Sequence, residues 1–204
     1  DVISQRVGDG AYLNARADAI LPDPMQFLLL LDGISSHEVM EARLLVEQEL
    51  AARAATRASD EDIAGIAREL RALEACKTDH AKLVAHDLLF HQAIFQAAGN
   101  RVTSFIFSVV HKSLDKLITI TSQIVEPEHT LTLHRRIYQA IRKPDPDEAR
   151  SRMNEHLIDA RDLLARAAEK QNHFQMQARI QTLNKKELRA TAKLKGMSPE
   201  PAEP

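Results

Sequence analysis

The sequence predicts an all-α protein, an antiparallel bundle of six or seven helices preceded by a β-hairpin. Three observations carry that expectation. Of 204 residues 44% are apolar but only 4% aromatic, with no Trp, so the core must be filled by Leu, Ile, Val and Ala, a composition that suits helices better than a sandwich or barrel. Six Gly and eight Pro leave few tight turns. Helix-capping residues recur along the middle of the chain, each followed by apolar positions at three- and four-residue spacing.

Taken in order, residues 1–14 read as two short strands, Val2 to Val7 and Ala11 to Leu13, around the turn residues Gly8-Asp9-Gly10. A lone hairpin is not stable in water, so it is expected to belong to a domain lying upstream of Asp1. Residues 15–34 read as a linker with a short helix. Ser35 with Glu38 is a capping box before Val39, Leu45, Val46 and Leu50, which predicts a first long helix over 36–56 with those aliphatics on its apolar side. Ser59 with Asp62 opens a second, carrying Ile63, Ile66, Leu70 and Leu73 and stopping near Lys77. Asp79 opens a third that ends at Ala97-Ala98-Gly99-Asn100, where Gly99 can take the left-handed conformation and Asn100 can cap a fourth helix running from Val102 through Leu114 and Leu117 to Ile120. A fifth begins near Pro127 and runs to Arg142. Asp145, Pro146 and Glu148 then supply N-cap, N1 and N3 of a sixth across a short turn. These helices make up a domain over 35–170. Residues 171–195 read as a basic helical extension, and 196–204, rich in Pro and Glu, as a disordered tail.

Composition narrows function by exclusion. A formal net charge of −2 gives no general attraction to phosphate backbones. The single Cys76 rules out an intramolecular disulfide framework and fits a reducing, cytoplasmic setting. The most apolar run, Phe27 to Leu31, is far too short to cross a bilayer.

Chemistry concentrates in four residues. Asp87 and His91 are four apart on the third helix, on a face shared with Leu83, Ile94 and Ala98, where an unpaired carboxylate would cost several kcal/mol and therefore needs a cation. His134 and His156 sit at similar distances on either side of the Pro144 to Pro146 turn, so an antiparallel pair brings them to one height, each on the same side as core residues. Three imidazoles and one carboxylate on inward faces suit a first-row transition metal with open coordination positions. Buried histidines are also commonly just hydrogen-bonded core residues, and spacing alone leaves that reading open. His37, His80, His86, His111, His129 and His173 show no such mutual registration and are expected at the surface or at caps.

An ordered set of segments then carries a resemblance: Glu41-Ala-Arg43 with Glu47 and Leu50-Ala-Ala52, Asp87-Leu-Leu-Phe-His91, Ala97-Ala-Gly-Asn100, His134 before Ile137 and Ala140-Ile141, and Met153-Asn-Glu-His156-Leu. Together they resemble the FCD effector-binding domain of GntR-family transcriptional regulators of the FadR subfamily, over most of the chain. The resemblance implies that Asp87, His91, His134 and His156 bind a divalent metal, zinc or nickel, and that the protein is a homodimeric regulator and not an enzyme. It implies that a small organic acid, a hydroxy- or keto-carboxylate, displaces water from that metal. Arg43 is the implied second contact to the acid, with a structural ion pair to Glu47 as the competing reading. Gly8 to Tyr12 resembles the wing of a winged helix-turn-helix, so operator DNA would be bound only through the part of that domain before Asp1. The stretch from Lys170 to Lys195 extends beyond the family's usual last helix. Two other classes stay open on the residues alone: a metal-dependent enzyme acting on a small carboxylate, and a structural helical dimerisation module.

Overall fold

The computed structural model describes residues 3–6, 10–13, 35–112, 119 and 126–169. The chain divides into two units, residues 1–164 and 165–204; of the second, residues 165–169 are described, and they are helical.

Within the first unit, β1 (Ile3–Arg6) and β2 (Gly10–Leu13) pair antiparallel, with Ile3 opposite Leu13 and Arg6 opposite Gly10. Six helices follow among the described residues: α1 (Ser36–Arg57), α2 (Asp60–Ala75), α3 (His80–Ala97), α4 (Arg101–Lys112), α5 (Pro127–Arg142) and α6, residues 146–164. The fold is the expected helical bundle. The expected linker helix within 15–34, the continuation of α4 through Leu114, Leu117 and Ile120, the extension 171–195 and the tail 196–204 lie outside the described residues. So do the side chain of His111 and all of His173.

The caps do what their residue types allow. At α1 the Glu38 amide donates to Ser35 Oγ at 3.2 Å while the Ser35 amide donates to Glu38 Oε2 at 2.8 Å, so two donors that the first turn leaves over are satisfied reciprocally. Ser59 and Asp62 repeat the device at α2. Asp79 accepts from the Lys82 amide at α3, and Asp145 from the Glu148 amide at α6. Between α3 and α4 the chain reverses through Gly99 at φ +73°, a conformation that strains any residue with a Cβ, and Asn100 Oδ1 accepts from the Val102 and Thr103 amides.

α2 packs on α3, α1 lies against α3 and α5, and α5 also contacts α2. The core between them is built from Ala51 and Ala54 of α1, Ile66 and Leu70 of α2, Phe90 and Ile94 of α3, Leu131, Ile137 and Ile141 of α5, and Ala149, Met153 and Leu157 of α6. α5 and α6 run antiparallel, as contacts between Arg136 and Glu155 and between His129 and Asp159 require. No helix among the described residues is long and apolar enough to cross a membrane.

The face α1 buries differs from the one its aliphatics suggest. Leu45 is 70% exposed, and Val39 and Val46 are only half-buried. The buried stripe is Met40, Arg43, Glu47, Leu50, Ala51 and Ala54, again at helical spacing but containing a guanidinium and a carboxylate. On α4, Val102 and Ile106 are likewise exposed, and Phe107 is buried. Small alanines let α1 approach its neighbours closely, and the ion pair fills the rest of that face.

Candidate metal centre and effector cavity

Each sequence-singled histidine reaches the interior from a different helix. His91 on α3 is 0% exposed, His134 on α5 0% and His156 on α6 5%. One ring nitrogen from each lies within 4.8 Å of the others, close enough to share a metal ion. The ring centroids of His134 and His156 are 4.6 Å apart, so the two do face each other from either side of the α5–α6 turn. Asp87, on the same face of α3 as His91, sets Oδ1 3.0 Å from His134 Nε2 with its side chain 13% exposed. All four residues are therefore brought together. Phe90 stands edge-on to His91 and His134, with ring centroids at 5.8 and 4.7 Å, and closes the site on the core side.

Hydrogen bonds decide which nitrogen of each ring carries a proton. His134 Nδ1 is 2.8 Å from the carbonyl oxygen of Thr130, which can only accept, so Nδ1 bears the hydrogen and a neutral ring presents a lone pair at Nε2. His91 Nδ1 is 2.8 Å from Glu47 Oε2, so it too donates and leaves its lone pair at Nε2. That nitrogen is 3.2 Å from His156 Nε2. Among the described residues, His134 Nε2 and His156 Nδ1 are buried without a hydrogen-bond partner, although His134 Nε2 is only 3.0 Å from the Asp87 carboxylate. A protonated His134 would balance the charge but would not supply the missing alignment. Two donors each ~2.1 Å from one ion, at right angles, stand ~3.0 Å apart without pointing at each other, which is the relation these atoms show. The donor set therefore fits a divalent transition metal.

Electrostatics agree with that fit. Burial alone would push the Asp87 carboxyl up, but its contact with His134, followed by its electrostatic interaction with the His134, His91 and His156 rings, outweighs it and holds the group well below the usual carboxylate range. For His156, burial and then its neighbours His134 and His91 push the ring well below the usual imidazole range, against the opposing pull of Asp87. An ionised carboxylate and a neutral imidazole are the forms that bind metal.

Beside these residues lies a cavity of about 80 Å³, room for several waters or a small organic molecule. Asp87, His134 and His156 form part of its wall, with Arg43, Thr130 and Asp159 as its other polar residues and Leu73, Leu83 and Leu163 among the apolar ones. Arg43 forms the expected ion pair with Glu47 and also stands in the cavity wall. It is 3% exposed, and its Nε donates to Glu47 Oε1 at 2.5 Å.

Glu47 is the residue the sequence reading undervalued. At 0% exposure it joins Arg43 to His91, so a carboxylate from α1 orients an imidazole of α3. The signal was its four-residue spacing from Arg43 on a face otherwise formed by Met40, Leu50 and Ala54. Of the remaining histidines, His37 and His80 are exposed, His86 is half-buried against Glu69, and His129 pairs with Asp159 at 3.0 Å while 52% exposed.

Residues 38–159 match the family model of the FCD domain. The chain belongs to the FCD family. The FCD match spans all six helices in whole or in part, and the relatives carry regulators' names. The chain is 29% identical over 164 residues to the uncharacterized HTH-type transcriptional regulator YcbG of Bacillus subtilis, covering 79% of this chain and 66% of that protein. It is 33% identical over 132 residues to the HTH-type transcriptional repressor NanR of Escherichia coli, covering 61% of this chain and 48% of NanR. The chain thus spans less than two thirds of the length of these curated relatives. In fold it is similar to the Streptococcus agalactiae GntR structure, with a TM-score of 0.62 at 23% identity over 79% of this chain and 74% of that one. The Escherichia coli McbR/YncC structure gives a TM-score of 0.58 at 13% identity, covering 81% and 74%. The FCD domain of this chain thus shares its fold with the Streptococcus agalactiae GntR structure.

Proposed function

We propose that this FCD domain senses a small organic acid at a divalent metal held by Asp87, His91, His134 and His156, and passes the signal to operator binding by a homodimeric regulator. The observation that carries the reading is the convergence of buried ring nitrogens: one from each of His91, His134 and His156 lies within 4.8 Å of the others, the Asp87 carboxylate stands 3.0 Å from His134 Nε2, and His134 Nε2 and His156 Nδ1 lack a hydrogen-bond partner. Zinc or nickel suits three imidazoles and one carboxylate.

A bound ion would supply a Lewis-acidic attachment point for a carboxylate oxygen. The protein's own residues do the rest. Asp87 lowers the net charge of the centre, and Glu47 and the Thr130 carbonyl hold His91 and His134 in the tautomer that presents Nε2. Leu73, Leu83 and Leu163 exclude water from the cavity, which strengthens any polar contact made there. Arg43 offers a planar donor set to the acid, a hydroxy- or keto-carboxylate, and a charge-assisted bond of this kind is worth roughly 1.5–3 kcal/mol. Binding shifts the dimer only by the difference in affinity between its two conformations. DNA contact itself is assigned to a helix-turn-helix like those named in the relatives, of which β1 and β2 would be the wing.

Elemental analysis after incubation with zinc or nickel chloride and desalting tests the centre. About one ion per chain is expected, with loss in the His134→Ala, His156→Ala double variant; equal retention by both proteins would refute the assignment. Calorimetry of lactate binding to the metal-loaded chain tests the acid. Arg43→Lys, which keeps the charge but loses the fork, is expected to bind it at least tenfold more weakly.

A further inference from the structure

The cavity contains a carboxylate that the metal centre does not use. Asp159 follows His156 by three residues on α6, and Ala160 and Leu163 continue the same face along the wall. Three residues advance a helix by ~4.5 Å, so Asp159 stands about one turn from the ligand His156. It stands on the outward side. Its partner across the antiparallel pair is His129, which is 52% exposed and lies five residues before the fully buried His134. His129 Nε2, 3.0 Å from Asp159 Oδ2, takes one of the several acceptor positions a carboxylate offers.

The cavity therefore has two unlike poles. Its inner end is cationic, with Arg43 and the residues proposed to hold a divalent ion, and its outer end carries the negative charge of Asp159. Charge balance points the same way. At the inner end the carboxylates of Asp87 and Glu47 would leave Arg43 and a divalent ion with one net positive charge, which a first ligand carboxylate cancels, so a second negative charge would face Asp159 uncompensated.

Resting on the reading above, we propose that Asp159 is the specificity-determining residue of this cavity: it selects a monocarboxylate whose far end carries an amine or hydroxyl donor, and it rejects a dicarboxylate of the same length. The acid group binds at the metal and Arg43, and the donor meets Asp159 one helical turn away. Rejection arises because two carboxylates facing each other at short range repel and have no hydrogen to share.

Three four-carbon probes of matched length test this: 4-aminobutanoate, 4-hydroxybutanoate and succinate, titrated calorimetrically into the zinc-loaded full chain and into its Asp159→Asn variant. The wild type is expected to bind 4-aminobutanoate at least tenfold more tightly than succinate, with 4-hydroxybutanoate between them. In Asp159→Asn, succinate should gain at least fivefold and the spread among the three should shrink to under threefold. A melting curve and zinc content equal to wild type confirm that the variant folds and keeps its centre. Equal binding of the three probes by the wild type, or an unchanged ranking in the variant, overturns the role of Asp159 while leaving the acid-sensing reading in place. Failure of the zinc-loaded wild type to bind any of the three overturns both.

Discussion

His91 and His134 point their Nε2 atoms into one site, but they are held there by different means. His134 is oriented from within its own helix, by the carbonyl of Thr130 one turn earlier on α5. His91 is oriented from another helix, by Glu47 on α1, which is itself held by Arg43. The first arrangement forms as soon as α5 forms. The second exists only when α1 and α3 are packed, and it places a guanidinium and a carboxylate at 3% and 0% exposure inside the bundle. One imidazole is a local product of the helix, the other a tertiary one, and mutation should separate them.

The largest difference should come from the tertiary side. Glu47→Ala removes the carboxylate paired with buried Arg43 and bonded to His91 Nδ1, and is expected to cost about 3–5 kcal/mol in urea unfolding. A loss under about 1 kcal/mol would show that α1 relaxes enough to hydrate Arg43.

A smaller effect concerns the metal. Zinc at a hundredfold its dissociation constant should stabilise the wild type by about 2.7 kcal/mol. Glu47→Gln keeps the shape but weakens the orientation of His91, and should lower zinc affinity by about 10–100-fold in a chelator competition. If Glu47→Gln retains wild-type affinity, His91 needs no support from α1.

Local devices should cost less and be indifferent to metal. Ser59→Ala removes the capping box of α2 and is expected to cost about 1 kcal/mol, equally with and without zinc. Thr130→Ala should be smallest, within about 0.5 kcal/mol and without change in zinc affinity, because the group that holds His134 is the backbone carbonyl. A marked loss of zinc in Thr130→Ala would mean that the side chain also takes part.

The same division explains what could be read from the sequence. Capping boxes at Ser35 and Ser59, the Gly99-Asn100 reversal and the antiparallel return after Pro144 are local codes, and each was legible from residue spacing. Spacing also placed Asp87 with His91, and the turn between α5 and α6 set His134 opposite His156. What spacing could not show was which side of α1 faces inward. Leu45 and Val46 suggested an aliphatic face, whereas the buried stripe runs through Arg43 and Glu47. A helix face that buries a salt bridge looks polar in a hydropathy reading, and only the partner across the interface, His91, reveals it. Asp159 escaped notice for the same reason: its meaning depends on the cavity beside it.

The distribution of the four side chains along the chain also sets an order of events. His91 and His156 are 65 residues apart, and the nitrogen atoms of three helices meet only after α3, α5 and α6 have docked. Asp87 and His91 are close in sequence, but an ion at the proposed centre would meet its full ligand set only in the docked bundle, so it would act as a latch. Its affinity would then be expressed mainly in how slowly the bundle opens, and little in how fast it forms. Removing the ion with a chelator would shorten the lifetime of the closed bundle while leaving its refolding rate nearly unchanged.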